Sequence, residues 1–193
     1  MHLVDEDTNE LWIFGYGSLM WRPGFDFVDC ALAWVHGYHR ALCIYSHVHR
    51  GTPQSPGLVL GLDHGGSCQG VVFRIASSKR EETIAYLRER ELVTSVYLEK
   101  FVTLRLKDGS RKRAIAYVVD RRHNQYAGPL SIEKMTQLIV KGLGVNGDNS
   151  AYVRNTYEHL QRLNIYDAQL AEVIRHLDWN ASTNTPSLNM QKK

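Results

Sequence analysis

The chain has little of what would place it in several large protein classes. It carries three cysteines, Cys30, Cys43 and Cys68, an odd count with no C-x-x-C pair, which speaks against a disulfide framework and for a reducing compartment. No apolar stretch approaches the roughly 20 residues that span a bilayer, and the opening MHLVDEDTNE has neither the basic start nor the apolar segment of a signal peptide. A cytoplasmic protein without membrane association is therefore expected. Charge of one sign is also scarce: 23 Lys and Arg against 20 Asp and Glu leave a net +3. That is far from a dedicated nucleic-acid binder, so no DNA or RNA partner is expected. Internal repeats and a Pro/Gly/Ser-rich linker are absent as well.

What the chain has is enough apolar content for a core, 44% of 193 residues, which suits one domain that folds alone. The expected layout is a flexible start over residues 1–10, a single domain over 11–179 and a disordered polar tail over 180–193. Residues 11–14 read as a first strand, and residues 33–46 as two extended segments broken near Gly37. Residues 58–62 and 70–75 read as strands flanking the turn DHGGS. A helix is expected over SSKREETIAYLRERELV, with Ser78 as its cap. Alternation through Val102, Leu104 and Leu106, then Asp108-Gly109, predicts a hairpin returning over 113–119. Helices are expected over 132–143, 150–163 and 168–177. Strands come first at hairpin-length spacings and helices late, so the fold class is α+β with a curved or closed sheet, not a doubly wound parallel one.

One stretch asks for a separate explanation. WIFGYGSLMW, residues 12–21, is a buried-strand pattern interrupted by two glycines, which weaken a strand and add ordering entropy. Gly15-Tyr16-Gly17-Ser18-Leu19 after a strand offers several backbone N–H groups without bulky side chains, an arrangement suited to a carboxylate or phosphate. The loop is neither a full dinucleotide fingerprint nor a phosphate loop with its lysine. On spacing alone, a bulge or sharp strand exit is the better reading.

Several separated motifs lift that ambiguity. FGYGSLMW, HRGTPQSPGLVLGLDHGGSCQGVVFRI, YLREREL followed by Tyr97, and GVNGDNSAYVRNTYEHLQRLNIYD resemble, in order, the successive signatures of the ChaC family of γ-glutamylcyclotransferases. The resemblance covers roughly residues 11–170. It implies a small mixed β-barrel with flanking helices, and an enzyme that cleaves glutathione into 5-oxoproline and cysteinylglycine without metal or cofactor. It further implies that Gly15, Tyr16, Gly17, Ser18, Leu19 and Met20 bind the γ-glutamyl part, and that Glu91, in the Arg90-Glu91 step, is the acid/base. Some members place Gly-Gly-Tyr directly after Arg-Glu-Lys, whereas this chain runs Glu91-Leu92-Val93-Thr94-Ser95-Val96-Tyr97.

The substrate itself explains why so little machinery is needed. A γ-glutamyl amide holds its own nucleophile, the α-amino group, so the enzyme need only fold the substrate until nitrogen meets the γ-carbonyl carbon and move protons. A single carboxylate of raised pKa can take the ammonium proton and return it to the departing amine. Along an α-helix, Glu91 falls between Ile84 and Leu87, the positions expected to be buried, while Glu89 projects to the opposite side. On pattern alone, a structural ion pair of Glu91 with Arg88 or Arg90 is an equal alternative.

Weaker candidates complete the site. Arg50, beside the stiff loop containing Pro53 and Pro56, is a candidate anchor for a substrate carboxylate, and Tyr97 and Tyr152 are candidate pocket residues. Asn149 serves the pocket or the helix start equally well. His47 and His49 would share one strand face near His36 and His39, but no acidic or cysteine ligand set accompanies them, so no metal is expected. Arg111-Lys112-Arg113 and Arg121-Arg122-His123 read as solvated edges. The expected state is a monomer. The rivals are a cyclotransferase for other γ-glutamyl compounds and a non-catalytic anion binder or transporter regulator of the same fold.

Overall fold

The computed structural model describes residues 10–92 and 94–183. Its elements are β1 (Leu11–Gly15), β2 (Asp29–Ser46), β3 (Gly57–Ile75), α1 (Arg80–Glu91), β4 (Tyr97–Leu106), β5 (Arg111–Val119), α2 (Ile132–Lys141), β6 (Leu143–Gly144), β7 (Gly147–Asp148), α3 (Asn149–Arg162) and α4 (Ala168–Thr183). Short 3-10 turns cover Ser18–Met20 and Ser77–Lys79. Strands β1-β3-β2-β4-β5 close into a barrel, with β6 and β7 a separate two-stranded ribbon. The closed sheet and late helices match the expected α+β class.

The contacts divide the described residues into two compact units, one within residues 1–41 and 60–126, the other within residues 42–59 and 127–193. In the first, β1 is buried along its whole length and pairs antiparallel with β3 from Leu11↔Ile75 to Gly15↔Val71. It also meets β5 in parallel at Ile13↔Ile115. A strand covered on both faces has no use for polar residues, which is why LWIF shows no alternation. The β4–β5 hairpin runs from Tyr97↔Val119 to Arg105↔Arg111, turning at Asp108-Gly109 as the D-G signal predicts. In the second unit, α2, α3 and α4 pack on one another.

Several expected details change. β2 does not break at Gly37: the glycine takes φ +83° inside a continuous strand. Likewise DHGGS is no reversal. Gly65 and Gly66, both at positive φ, bend β3 without ending it, and the Gly65 carbonyl lies 3.0 Å from His39 Nδ1. Backbone states open to glycine bend a long strand as readily as they end a short one. Ser78 does not cap α1. It lies in the preceding 3-10 turn, Lys79 occupies the cap position without a side-chain bond, and Glu81 and Glu82 supply the favourable negative charge of the first turn. Residues 47–49 lie beyond the end of β2, so His47 and His49 share no strand face: His47 stacks near Tyr45 and His49 meets Asn146. α2 stops at Lys141 because Gly142 breaks the helical path and Leu143 pairs in β6.

Residues 1–9 and 184–193 lie outside the described residues, and with them most of the expected flexible start and tail. Asn180 to Thr183, expected in that tail, continue α4. The hydroxyls of Ser182 and Thr183 donate back to the carbonyls of Asp178 and Trp179, an internal use of polar groups that lets such residues extend a helix.

Candidate active site

The glycine loop is shaped where β1 ends. After Gly15 the backbone folds into the Ser18–Met20 turn, with Met20 N donating to Gly17 O at 2.9 Å and Arg22 N to Ser18 O at 2.9 Å. The two glycines then have different reasons. A Cβ on Gly15 would lie 3.0 Å from Leu19 Cβ and 3.3 Å from Met20 N, so a side chain there crowds the loop's own packing. A Cβ on Gly17 would meet only Leu60 Cδ1, at 3.7 Å, an ordinary contact. The second glycine therefore keeps space that no other part of the described chain fills. Among the described residues none accepts from the N–H groups of Gly17, Ser18 and Leu19, while the side chains of Leu19 and Met20 are buried as anchors.

Side chains hold this loop from behind. The Tyr16 phenol donates to the Tyr117 carbonyl at 2.8 Å, so it faces the core and grips β5. Arg40, 8% exposed, donates from Nε to Tyr16 O at 2.5 Å and from Nη2 to Gln69 O at 2.6 Å. The Tyr97 hydroxyl donates to Leu60 O at 2.7 Å, which places it on the residue that Gly17 faces.

Glu91 is the last residue of α1. Leu87 is fully buried and Glu89 exposed, while the Glu91 side chain is 17% exposed, so the two carboxylates point as the helix geometry predicts. Thr83 takes the fully buried position beside Leu87, leaving Ile84 half-buried. Burial pushes the Glu91 carboxyl above the ordinary carboxylate range, against the opposing charge of Arg90. Arg90 Nε sits 3.2 Å from Glu91 Oε1, so an ion pair is present, yet it does not offset the desolvation.

Arg88 serves elsewhere. It forks onto Glu99 of β4, Nε at 2.9 Å and Nη2 at 2.7 Å, and holds that carboxyl below its usual range. The Tyr117 phenol donates to Glu99 Oε2 at 3.1 Å. Burial and the negative charges of Glu99 and Glu91 push this phenol well above its normal pKa, so it stays protonated close to the Glu91 carboxylate.

Arg50, Tyr152 and Asn149 belong to the second unit. Arg50 Nη1 donates to the carbonyls of Asn146 at 2.5 Å and Asp148 at 3.2 Å, and the guanidinium lies 5.2 Å over the Tyr152 ring. Asn149 is a strut. Fully buried, it accepts from Leu58 N at 2.6 Å and donates to Leu58 O at 2.9 Å, while Asp148 caps α3 by accepting from Ala151 N at 2.7 Å. Asn149→Ala is expected to lower stability by about 2–4 kcal/mol, because it leaves both backbone groups of a buried residue unsatisfied. Urea denaturation checks this: an unchanged midpoint would remove the strut role.

Sequence reasoning did not single out Arg40, Glu99, Tyr117 or the full reach of Arg90. Arg40 alone had a signal, a charge inside an apolar strand pattern. GLGVNG at residues 142–147 has G-x-G-x-x-G spacing, but it follows a helix and forms the β6–β7 ribbon, so the strand a dinucleotide site requires is missing. Among the described residues, no three His, Cys, Asp or Glu side chains form a cluster suited to a metal ion, and no helix is long and apolar enough to cross a membrane.

Comparison with known proteins adds to this geometry. Residues 11–179 match the family of ChaC-like proteins. The chain is 34% identical over 168 residues to a glutathione-specific γ-glutamylcyclotransferase of Escherichia coli strain K12, covering 87% of this chain and 73% of that one. It is 35% identical over 161 residues to the human glutathione-specific γ-glutamylcyclotransferase 1, covering 81% and 72%. With γ-glutamylcyclotransferase 2-3 of Arabidopsis thaliana it shares 32% identity over 178 residues, covering 86% and 89%. Its fold is that of the crystal structure of a yeast γ-glutamylcyclotransferase specific to glutathione, with TM-score 0.81 at 21% identity over 89% of this chain and 97% of that one.

Proposed function

The chain belongs to the ChaC-like family, and from that premise we infer that it is a glutathione-specific γ-glutamylcyclotransferase, releasing 5-oxoproline and cysteinylglycine. The observation that carries the reading is one linked arrangement inside the first unit. Glu91, desolvated at the end of α1, is paired with Arg90, whose Nη2 lies 3.0 Å from Ser18 Oγ of the glycine loop.

In this reading the N–H groups of Gly17, Ser18 and Leu19 hold the α-carboxylate or the oxyanion that develops on the γ-carbonyl, where fixed dipoles act without reorganising. Glu91 takes a proton from the α-ammonium. The freed nitrogen attacks the γ-carbonyl carbon, Glu91 hands its proton to the leaving nitrogen as the amide C–N bond breaks, and the second proton, left on the ring nitrogen, passes to the released amine, which departs as an ammonium. A non-catalytic anion binder would need the loop but would gain nothing from a buried carboxyl whose pKa burial raises. Arg50 and Tyr152 stay in the proposal as substrate contacts, though a carboxylate would compete with two backbone carbonyls for Arg50. Tyr97 is assigned to shaping the wall opposite Gly17. A cytoplasmic monomer without cofactor or nucleic-acid partner completes the reading.

Pure protein incubated with glutathione and EDTA is expected to yield 5-oxoproline and cysteinylglycine by mass spectrometry. Loss of activity in metal-free protein, restored by zinc, would overturn the mechanism. Equal turnover of a panel of γ-glutamyl dipeptides would widen the substrate class from glutathione to γ-glutamyl compounds in general.

A further inference from the structure

Arg90 makes more polar contacts than any simple partner of Glu91 would need. Its Nη1 donates to Arg22 O at 2.7 Å, Pro23 O at 3.2 Å and Tyr86 Oη at 3.0 Å; its Nη2 donates to Ser18 Oγ at 3.0 Å; its Nε faces Glu91 Oε1 at 3.2 Å. One planar group thus touches both ends of the Ser18 to Pro23 segment, its own helix and the acid/base carboxylate. Neighbouring residues on a helix point about 100° apart and do not normally face each other. The pair therefore forms against that default, on a guanidinium that the loop also holds.

We propose that Arg90 is a positioning residue that fixes Glu91 and the glycine loop relative to each other. The proposal rests on the assignment of Glu91 as the acid/base. A carboxylate placed by loop contacts through one rigid fork is held in register with the N–H groups that bind the reacting end of the substrate. Lysine cannot do this, since its single nitrogen cannot span Ser18, the Arg22 carbonyl and Glu91 together. The plain alternative is a staple that only ties residues 18–23 to α1, with no effect on the chemistry.

The two roles differ in what they do to the protonation of Glu91. The titratable groups around Glu91 are Arg90 on its own helix and, from β5, the neutral Tyr117 phenol, itself bonded to Glu99 of β4, whose charge Arg88 offsets. Arg90 is then the main cation favouring ionised Glu91. Removing it raises the pKa of Glu91, so the ascending limb of kcat/KM moves to higher pH.

The test combines direct titration of Glu91 by carbon-13 NMR of labelled glutamate with pH-rate profiles. Arg90→Met is expected to raise the Glu91 pKa and to carry the kinetic limb with it to higher pH, with kcat at least about tenfold lower. Arg90→Lys is expected to keep the pKa near that of the unaltered protein while kcat still falls about tenfold, separating charge from placement. A folded Arg90→Met with unchanged Glu91 titration and unchanged kcat, only melting earlier, would overturn the proposal in favour of the staple. If Arg90→Met does not fold, Arg90→Lys decides alone, and full activity there overturns it. The NMR titration needs no turnover, and failure of the parent reading would show separately as an active Glu91→Gln.

Discussion

Glu91→Gln is expected to give a folded protein that still binds glutathione and turns it over at least ~100-fold more slowly. Glutamine keeps the size of the side chain and can still accept a hydrogen bond from Arg90, so the links of that guanidinium to Ser18 and the Arg22 carbonyl remain. What is lost is the one group that can accept the α-ammonium proton and release it again. Glu89→Gln, two positions away and exposed, is expected to retain most activity. Because burial raises the Glu91 carboxyl above its ordinary value, kcat/KM of the unaltered enzyme should climb with pH through a limb above the usual glutamate value of about 4.3. Above that limb the carboxylate is ionised and able to act as a base; below it the protonated form cannot take the proton. Turnover and affinity of both variants decide the matter. An active Glu91→Gln, or an equally impaired Glu89→Gln in folded protein, would sink the assignment.

Local signals carried a good part of the fold because local chemistry set those elements. The D-G turn and the period-two pattern of β4 are each decided within a few residues. The long strands were less legible. In β2 and β3, glycines that read as breaks are bends within one strand, and only pairing with neighbouring strands tells the two apart. The site divides in the same way. Glu91 could be aimed from helix geometry and the glycine loop from its composition, but the fork of Arg88 on Glu99 and the Tyr117 phenol beside it join residues 11 and 18 positions apart across separate elements. Arg88 and Arg90 are chemically alike and two residues apart, yet one answers to β4 and the other to the glycine loop. That division of labour follows from helix rotation and from what each face meets, which no spacing rule states.

The glycine loop gives the second large effect, and Gly15 supplies its control. Gly15→Val places side-chain atoms against Leu19 Cβ and the Met20 backbone, neither the far end of a flexible side chain, so its expected outcome is a poorly folded or strongly destabilised protein. Gly17→Val meets only Leu60 Cδ1, at 3.7 Å from the new Cβ. The test takes Gly17→Val protein whose circular dichroism shows an intact fold. In the proposed reading the branched side chain takes space that the substrate needs beside the loop and its N–H donors. Losing access to such donors typically costs about 100- to 1,000-fold in rate. Gly17→Val is accordingly expected to lose at least ~100-fold in kcat/KM, with weaker glutathione binding by calorimetry. Gly17→Ala, with a single carbon added, should fall between. A selective loss of activity in folded Gly17→Val, beside a misfolded Gly15→Val, points to a ligand at the loop. Near-normal affinity and rate in well-folded Gly17→Val would leave the loop without a binding role and return it to a sharp strand exit.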